Sequence, residues 1–150
     1  MALDTSIEGC SFLNNQGFEM CTNIDALISD YDTILIPEVI EHVGNYFEML
    51  SIFTKKFPNS EFIIITPNPF SAKRTIEAYL NYERYHPDHL SYISYSNLNT
   101  AMTRLDFKID RVIGTFLPRE KLTKKIKFAS WIASKRHALS DNLIYICSKK

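Results

Sequence analysis

The sequence predicts a three-layer α/β fold with a mostly parallel sheet that ends in an antiparallel edge. Strand and helix patterns alternate along the 150 residues, which is typical of helices packed on both faces of a sheet. Residues 33–36 and 62–66 are continuous apolar runs rich in β-branched side chains. Such runs predict strands that are covered on both faces. A chain of this length with 45% hydrophobic residues can bury its own core, so we expect one domain over residues 1–150.

Short elements are predicted at the start of the chain. Residues 1–4 have the pattern of a strand end, and Thr5 or Ser6 can cap the helix that follows. Residues 18–22 predict a weak strand, and residues 23–30 predict a loop or a short helix. The first part of the chain is therefore expected to read strand, helix, strand.

The rest of the chain continues the alternation. Three helices are predicted, one capped by Asn45, one over residues 71–85, and one capped by Ser94 or Ser96. Two further strands are predicted over residues 107–113 and 142–147. A basic amphipathic stretch, residues 119–136, lies between these two strands. We interpret it as a solvated helix face, with contact to RNA or phosphate as the alternative.

Charge and hydropathy exclude several classes of protein. Lysine plus arginine number 17 and aspartate plus glutamate also number 17, which argues against a general nucleic-acid binder. No apolar run is long enough to span a membrane, and the N-terminus has no export pattern. The three cysteines have no CxxC spacing, which favours reduced thiols in the cytoplasm.

Three side chains that can take part in chemistry follow the strand at residues 33–36. Pro37 ends the strand, and Glu38, Glu41 and His42 come next. At this spacing one helical turn would place both carboxylates and the imidazole on a single face. Ligands of α/β proteins lie beyond the carboxyl ends of the strands. We therefore predict that these three residues are catalytic.

Four segments, taken in order, resemble the class I S-adenosylmethionine-dependent methyltransferases over nearly the whole chain. They read EVIEHV at residues 38–43, ITPNPFS at 65–71, HPDH at 86–89 and LDFKIDRV at 105–112. The resemblance implies a Rossmann-like fold that binds S-adenosylmethionine. It also implies that Asp4 holds the ribose hydroxyls of the cofactor and that Thr22 and Asn23 lie at its adenine.

The ExxEH motif is similar to that of a subset of this family, which includes small-RNA 2′-O-methyltransferases and ubiquinone-pathway O-methyltransferases. In that subset two glutamates and two histidines bind a divalent metal. The resemblance implies Glu38, Glu41 and His42 as ligands of Mg²⁺ or Mn²⁺, with His89 as the fourth and His86 as its alternative. The competing interpretation is that the glutamates and the histidine cap the helix or contact the substrate.

The chain departs from the family at its N-terminus. The family has a first strand, a GxGxG loop and a helix ahead of the acidic residue, whereas the four glycines here are isolated. We therefore expect an N-terminally truncated member that lacks the first strand and first helix. The strand at residues 33–36 would close up with its neighbour, become a sheet edge, or pair with another chain. From this we predict self-association, as a homo-oligomer or with a partner chain.

These observations support three functions. The first is methyl transfer from S-adenosylmethionine to a hydroxyl of a small molecule, with or without a metal. The second is a non-catalytic homologue that acts as an interaction module or is a fragment, and the third is RNA modification. A group of tyrosines could line an aromatic substrate pocket or simply cover the sheet: Tyr79, Tyr82, Tyr85, Tyr92 and Tyr95.

Overall fold

The computed structural model describes residues 1–28, 30–82, 86–115 and 137–150. Contacts divide the chain into two units, Met1–Tyr31 and Asp32–Lys150. A two-stranded sheet lies in the first unit and a four-stranded sheet in the second. A single domain over residues 1–150 stays a prediction.

The first unit is a strand, helix, strand motif, as the sequence predicts. Strand β1 (Ala2–Leu3) pairs in parallel with β2 (Met20–Cys21), and helix α1 (Ile7–Asn14) connects them. Ser6 begins the helix, since its Oγ accepts a hydrogen bond from the backbone N–H of Gly9 at 3.0 Å. This bond satisfies one of the backbone donors that a helix start leaves unpaired.

The sheet of the second unit has the strand order β3, β4, β6, β5. Its strands are β3 (Thr33–Pro37), β4 (Glu61–Pro67), β5 (Phe107–Thr115) and β6 (Asn142–Lys149). Strands β3 and β4 pair in parallel, whereas β6 is antiparallel to both β4 and β5. Three of the four strands therefore run in one direction, which confirms the predicted mostly parallel sheet. Both antiparallel pairings lie toward one edge of the sheet. There β5 is the outermost strand, and β6, which runs in the opposite direction, lies between β4 and β5.

Three helices of the second unit begin at polar caps. They are α2 (Tyr46–Lys56), α3 (Ala72–Tyr79) and α4 (Tyr95–Arg104). The side chains of Asn45, Ser71 and Ser94 each accept a backbone hydrogen bond from the first turn, so Ser94 rather than Ser96 caps α4. Helix α3 ends earlier than predicted, and the basic stretch at residues 119–136 lies outside the described residues. No helix in the described ranges is long and apolar enough to cross a membrane.

The core of the second unit forms between the sheet and its helices. Its fully buried apolar side chains include Leu50, Phe57, Phe62, Ile64, Leu98, Met102 and Phe107. The rings of Phe62 on β4 and Phe107 on β5 meet edge to face, with centroids 5.2 Å apart. Burial of one such side chain stabilises the fold by about 1.5–3 kcal/mol. These buried side chains therefore hold in place the ends of the strands, where the polar residues of the candidate site lie.

Strand β3 is the edge of its sheet. Within the described residues it pairs with β4 alone, which matches one of the arrangements expected from the sequence. Ile36 is buried, whereas the side chain of Leu35 is 58% exposed. An apolar, exposed edge strand is a template for further pairing, and self-association through it stays a prediction.

Candidate functional site

The turn after β3 differs from the predicted helical turn. Glu38 has a left-handed backbone with a φ of 51°, and a 3-10 turn covers only Ile40–His42. The prediction of one helical face for both glutamates and the histidine is therefore wrong for Glu38. The reason is strand pairing, because the N–H of Glu38 donates to the carbonyl of Ile65 at 2.9 Å and extends the β3 and β4 ladder by one residue. The chain must then reverse sharply, which a left-handed residue permits.

The structure brings the glutamate and histidines of two segments together. Ligand atoms of Glu41, His42 and His89 all lie within 4.8 Å of one another. The rings of His42 and His89 meet edge to face, with centroids 4.7 Å apart. The ring of His86 lies 4.8 Å from that of His89. We call Glu38, Glu41, His42 and His89 the Glu–His cluster.

Backbone hydrogen bonds hold the loop that carries His89 against the turn that carries Glu41. The N–H of Leu90 donates to the carbonyl of Glu41 at 2.8 Å. The Nδ1 of His42 lies 3.0 Å from the carbonyl of Asp88. Since a carbonyl can only accept, Nδ1 of His42 carries the hydrogen and donates it. This tautomer leaves Nε2 of a neutral His42 with a lone pair for a metal or a substrate proton.

Glu41 is a buried carboxylate with incomplete hydrogen bonding. It is only 1% exposed, and its Oε2 accepts a hydrogen bond from Thr66 Oγ1 at 3.3 Å. Its Oε1 is buried and, while both glutamates are ionised, has no hydrogen-bond partner among the described residues. A buried charge in this position is costly. Glu41 therefore requires a nearby proton or cation.

Glu38 supplies the proton when no cation is present. Burial, together with the charge of Glu41 and a hydrogen bond to it, raises the pKa of Glu38 to about 7, while His42 opposes the shift. The Oε1 of Glu38 also accepts a hydrogen bond from Asn142 Nδ2 at 2.9 Å. Near neutral pH a protonated Glu38 can therefore donate a hydrogen bond to the carboxylate of Glu41. A divalent cation between them could replace that proton.

His89 is held in its neutral form. Burial and the nearby charge of His42 lower the pKa of His89, and Glu41 only partly opposes them. Its Nδ1 is buried and has no hydrogen-bond partner within the described ranges. A neutral imidazole can ligate a metal or accept a proton. The donor set of carboxylate and imidazole groups therefore fits a divalent cation such as Mn²⁺.

The residues predicted to bind the cofactor lie at two adjacent strand ends of the first unit. Leu3 and Cys21 are paired across β1 and β2, so Asp4 and Thr22 both follow the carboxyl ends of parallel strands. All three predicted residues, Asp4, Thr22 and Asn23, are exposed. The Oδ1 of Asp4 accepts a hydrogen bond from the N–H of Ser6 at 2.8 Å, which fixes the carboxylate beside the start of α1. We call these three residues the strand-end trio.

Sequence reasoning missed two side chains that hold the cluster. Thr66 donates to Glu41, and Asn142 donates to Glu38 from the first residue of β6. The pairing of β4 with β6 places Asn142 opposite Pro67, one residue beyond Thr66. A threonine at the end of an apolar run was a visible signal. No sequence signal pointed to Asn142, because 104 residues separate it from Glu38.

Comparison with known proteins gives matches to structures but none to sequence families. Neither a protein-family model nor a curated protein matches the sequence. A S-adenosylmethionine-dependent methyltransferase from Archaeoglobus fulgidus has a TM-score of 0.64 at 19% identity, covering 99% of this chain and 74% of its own. A possible histamine N-methyltransferase from Thermotoga maritima has a TM-score of 0.69 at 12% identity, with coverages of 99% and 72%.

A third similar structure is magnesium protoporphyrin IX methyltransferase from Synechocystis with bound S-adenosylhomocysteine. Its TM-score is 0.64 at 12% identity, and the match covers 99% of this chain and 63% of that chain. The chain thus spans roughly two thirds to three quarters of the length of these proteins. Identities this low establish the fold alone. The chain has the Rossmann-like α/β fold of S-adenosylmethionine-dependent methyltransferases.

Proposed function

We propose that this chain transfers a methyl group from S-adenosylmethionine to a hydroxyl of a small molecule. The observation that carries the proposal is the Glu–His cluster, where the buried carboxylate of Glu41 lacks a full set of hydrogen-bond partners within the described ranges. The cluster follows β3 and faces the loop before α4, at the carboxyl ends of β3 and β4. In open α/β sheets this is the side on which substrates bind.

The chemistry asked of these residues is positioning and proton removal. The sulfonium of the cofactor is already a good leaving group, so the acceptor oxygen must be aligned with the methyl carbon and lose its proton. The oxygen–carbon bond forms as the sulfur–carbon bond breaks. The hydroxyl proton passes to the cluster, where the pKa of Glu38, about 7, suits a general base at neutral pH.

A divalent metal fits the same residues. Glu41, His42 and His89 would hold it, with Glu38 beside Glu41 and His86 as the further imidazole. When bound, Mg²⁺ or Mn²⁺ would lower the pKa of the acceptor hydroxyl. Two buried atoms that have no hydrogen-bond partner among the described residues, Oε1 of Glu41 and Nδ1 of His89, support this assignment.

The cofactor would lie at the strand-end trio. The carboxylate of Asp4 would accept hydrogen bonds from the ribose hydroxyls, and Thr22 and Asn23 would contact the adenine. The placement of Asp4 and Thr22 after adjacent parallel strands supports this role.

Calorimetric titration with S-adenosylmethionine and with S-adenosylhomocysteine tests the proposal. We expect micromolar binding that Asp4→Asn weakens about tenfold, because a neutral amide is a poorer acceptor for two hydroxyls. Glu8→Gln removes the same charge from helix α1 and should leave the affinity unchanged. Absence of binding at millimolar cofactor would contradict the proposed activity.

A non-catalytic interaction module is the second candidate, and one sequence observation favours it. The 150 residues contain four isolated glycines and no GxGxG loop, which in this fold packs against the cofactor. The exposed edge strand β3 would then be the surface for a second copy or a partner chain. The same titration separates the two functions. RNA modification rests on the basic stretch outside the described residues and stays a prediction.

A further inference from the structure

Glu38 has a backbone conformation that is unusual for a glutamate. Its φ of 51° lies in the left-handed region. The other two non-glycine residues with a positive φ in the described part of the chain are Asn81 and Asp106, whose short polar side chains make this region accessible. A glutamate stays in such a conformation only where its surroundings fix it, and such outliers are concentrated at functional sites. The side chain of Glu38 and the contacts that hold it are therefore candidates for a functional role.

Two contacts from separate strands hold Glu38. Its backbone N–H donates to the carbonyl of Ile65 on β4 at 2.9 Å. Its side-chain Oε1 accepts a hydrogen bond from Asn142 Nδ2, also at 2.9 Å. Asn142 is the first residue of β6 and is only 8% exposed. The backbone contact fixes the course of the chain, and the contact with Asn142 fixes the direction of the carboxyl group.

The hydrogen bond from Asn142 makes the two carboxyl oxygens of Glu38 different. An amide nitrogen can only donate, so Oε1 of Glu38 is engaged as an acceptor. The second oxygen, Oε2, is then the better one to carry a proton or to contact a cation. The carboxyl group of Glu38 also forms a hydrogen bond with that of Glu41. Asn142 thus holds Glu38 in an orientation in which the two carboxyl groups of the cluster meet.

The turn that carries Asn142 is held by a buried residue that follows β4. The Nδ2 of Asn68 donates to the carbonyls of Ala138 and Ser140 at 2.8 Å each, and Asn68 is only 2% exposed. The Oγ of Ser140 lies 2.8 Å from the carbonyl of Asn142, within hydrogen-bond distance. Asn142 therefore reaches Glu38 from a fixed support.

Strand β5 packs against the same turn at a glycine. A Cβ atom at Gly114 would lie 2.7 Å from Oγ of Ser140 and 2.8 Å from Cα of His137. A larger residue would therefore displace the turn, and glycine permits this close approach. Contacts from both β5 and the residue after β4 thus fix the position of Asn142, as is typical of groups that orient a functional side chain.

We propose that Asn142 is a positioning residue of the Glu–His cluster. It holds the carboxyl group of Glu38 beside Glu41, and through Glu38 it completes the set of ligands for a divalent cation. The inference rests on the proposed function for the metal, but its test requires neither S-adenosylmethionine nor a methyl acceptor.

A double-mutant cycle on Mn²⁺ affinity tests whether Asn142 acts through Glu38. Electron paramagnetic resonance of free Mn²⁺ measures the affinity of the unmodified chain, of Asn142→Ala, of Glu38→Ala and of the double variant. We expect each single change to weaken binding about tenfold or more. The double variant should bind as weakly as Glu38→Ala alone, because no carboxyl group is left for Asn142 to position.

Two further variants separate positioning from general destabilisation. Asn142→Leu keeps a side chain of similar size but removes the donor, so it should weaken Mn²⁺ binding as Asn142→Ala does. Thr54→Ala is the control, because it removes a buried hydroxyl that donates to the carbonyl of Leu50 within α2. It should leave the Mn²⁺ affinity unchanged. Circular dichroism checks that each variant is folded, and Asn142→Leu serves as the test if Asn142→Ala does not fold.

Three outcomes would overturn the inference. They are an unchanged Mn²⁺ affinity in folded Asn142 variants, a full further loss when Asn142→Ala is added to Glu38→Ala, and no binding of Mn²⁺ to the unmodified chain at millimolar concentration. Mn²⁺ binding that depends on Asn142, in a chain that does not bind S-adenosylmethionine, would leave the role of Asn142 intact and contradict the proposed activity.

Discussion

The Glu–His cluster and the strand-end trio both follow parallel strands, but their surroundings differ. In the cluster Glu41 is buried and depends on Thr66, while Glu38 depends on Asn142. The trio is exposed and forms local hydrogen bonds, such as that from Ser6 N–H to Asp4. Water can solvate an exposed carboxylate, whereas a buried one must find its partners in the protein or in a ligand. The cluster should therefore contribute more to the stability of its unit than the trio does.

The largest expected effect comes from the buried asparagine that supports the cluster end of the sheet. Asn68 is 2% exposed, and its Nδ2 donates to the carbonyls of Ala138 and Ser140 at 2.8 Å each. Asn68→Ala leaves both carbonyls without this donor, so we expect a loss of about 3 kcal/mol in the free energy of unfolding. Urea unfolding followed by circular dichroism measures it.

Asn23→Ala is the matched change in the first unit. Its exposed Oδ1 accepts from the N–H of Asp25 at 2.9 Å and caps a single 3-10 turn. Loss of such a cap costs about 1 kcal/mol or less. Equal losses in the two variants would show that burial does not distinguish the two regions.

The second largest expected effect is on metal binding at the Glu–His cluster. We expect His89→Ala to weaken Mn²⁺ binding about tenfold or more, because the variant removes one of the three grouped ligands. Electron paramagnetic resonance of free Mn²⁺ measures the affinity. His86→Ala tests the alternative ligand and should have the smaller effect, since its ring lies 6.2 Å from that of His42. His137→Ala is the control, and no difference among the three variants would contradict a metal site in the cluster.

Local patterns explain which parts of the fold were predictable. The cap Asn45, the neighbouring candidate caps Ser94 and Ser96, and the apolar strands are properties of a few consecutive residues, so the sequence alone indicates them. The neighbouring pair Glu41 and His42 was visible for the same reason. These predictions needed only the periods of helices and strands.

Pairing between distant segments explains what was not predictable. The left-handed backbone of Glu38 follows from its bond to Ile65 on β4. The approach of Asn142 follows from the insertion of β6 between β4 and β5. The stack of Arg74 on Tyr92 likewise joins two separate segments. Register decides each contact, and no local pattern encodes it.

The smallest effect is a pH dependence of stability that belongs to the cluster. The pKa of Glu38 rises from 4.5 to about 7 on folding. Between these values the folded state binds more protons than the unfolded state, so the free energy of unfolding falls as the pH rises through this window. The carboxyl of Glu38 lies against Glu41, but the residue as a whole is exposed to solvent, so solvent screening reduces the effect to about 1 kcal/mol. Urea unfolding at pH 5 and pH 8 measures the difference.

Glu41→Gln distinguishes the cluster from a general effect of acidic residues. Burial would still raise the pKa of Glu38, but the charge of Glu41 would no longer contribute. The decrease in the free energy of unfolding between pH 5 and pH 8 should therefore be smaller in this variant. Glu8→Gln removes an equal charge from the first unit and should leave this decrease in the free energy of unfolding unchanged. Saturating Mn²⁺ should also reduce this decrease in the unmodified chain, since a cation takes the place of the proton on Glu38. If Glu41→Gln and Glu8→Gln have equal pH dependence, the charge of Glu41 does not raise the pKa of Glu38, and the buried Oε1 of Glu41 needs another partner.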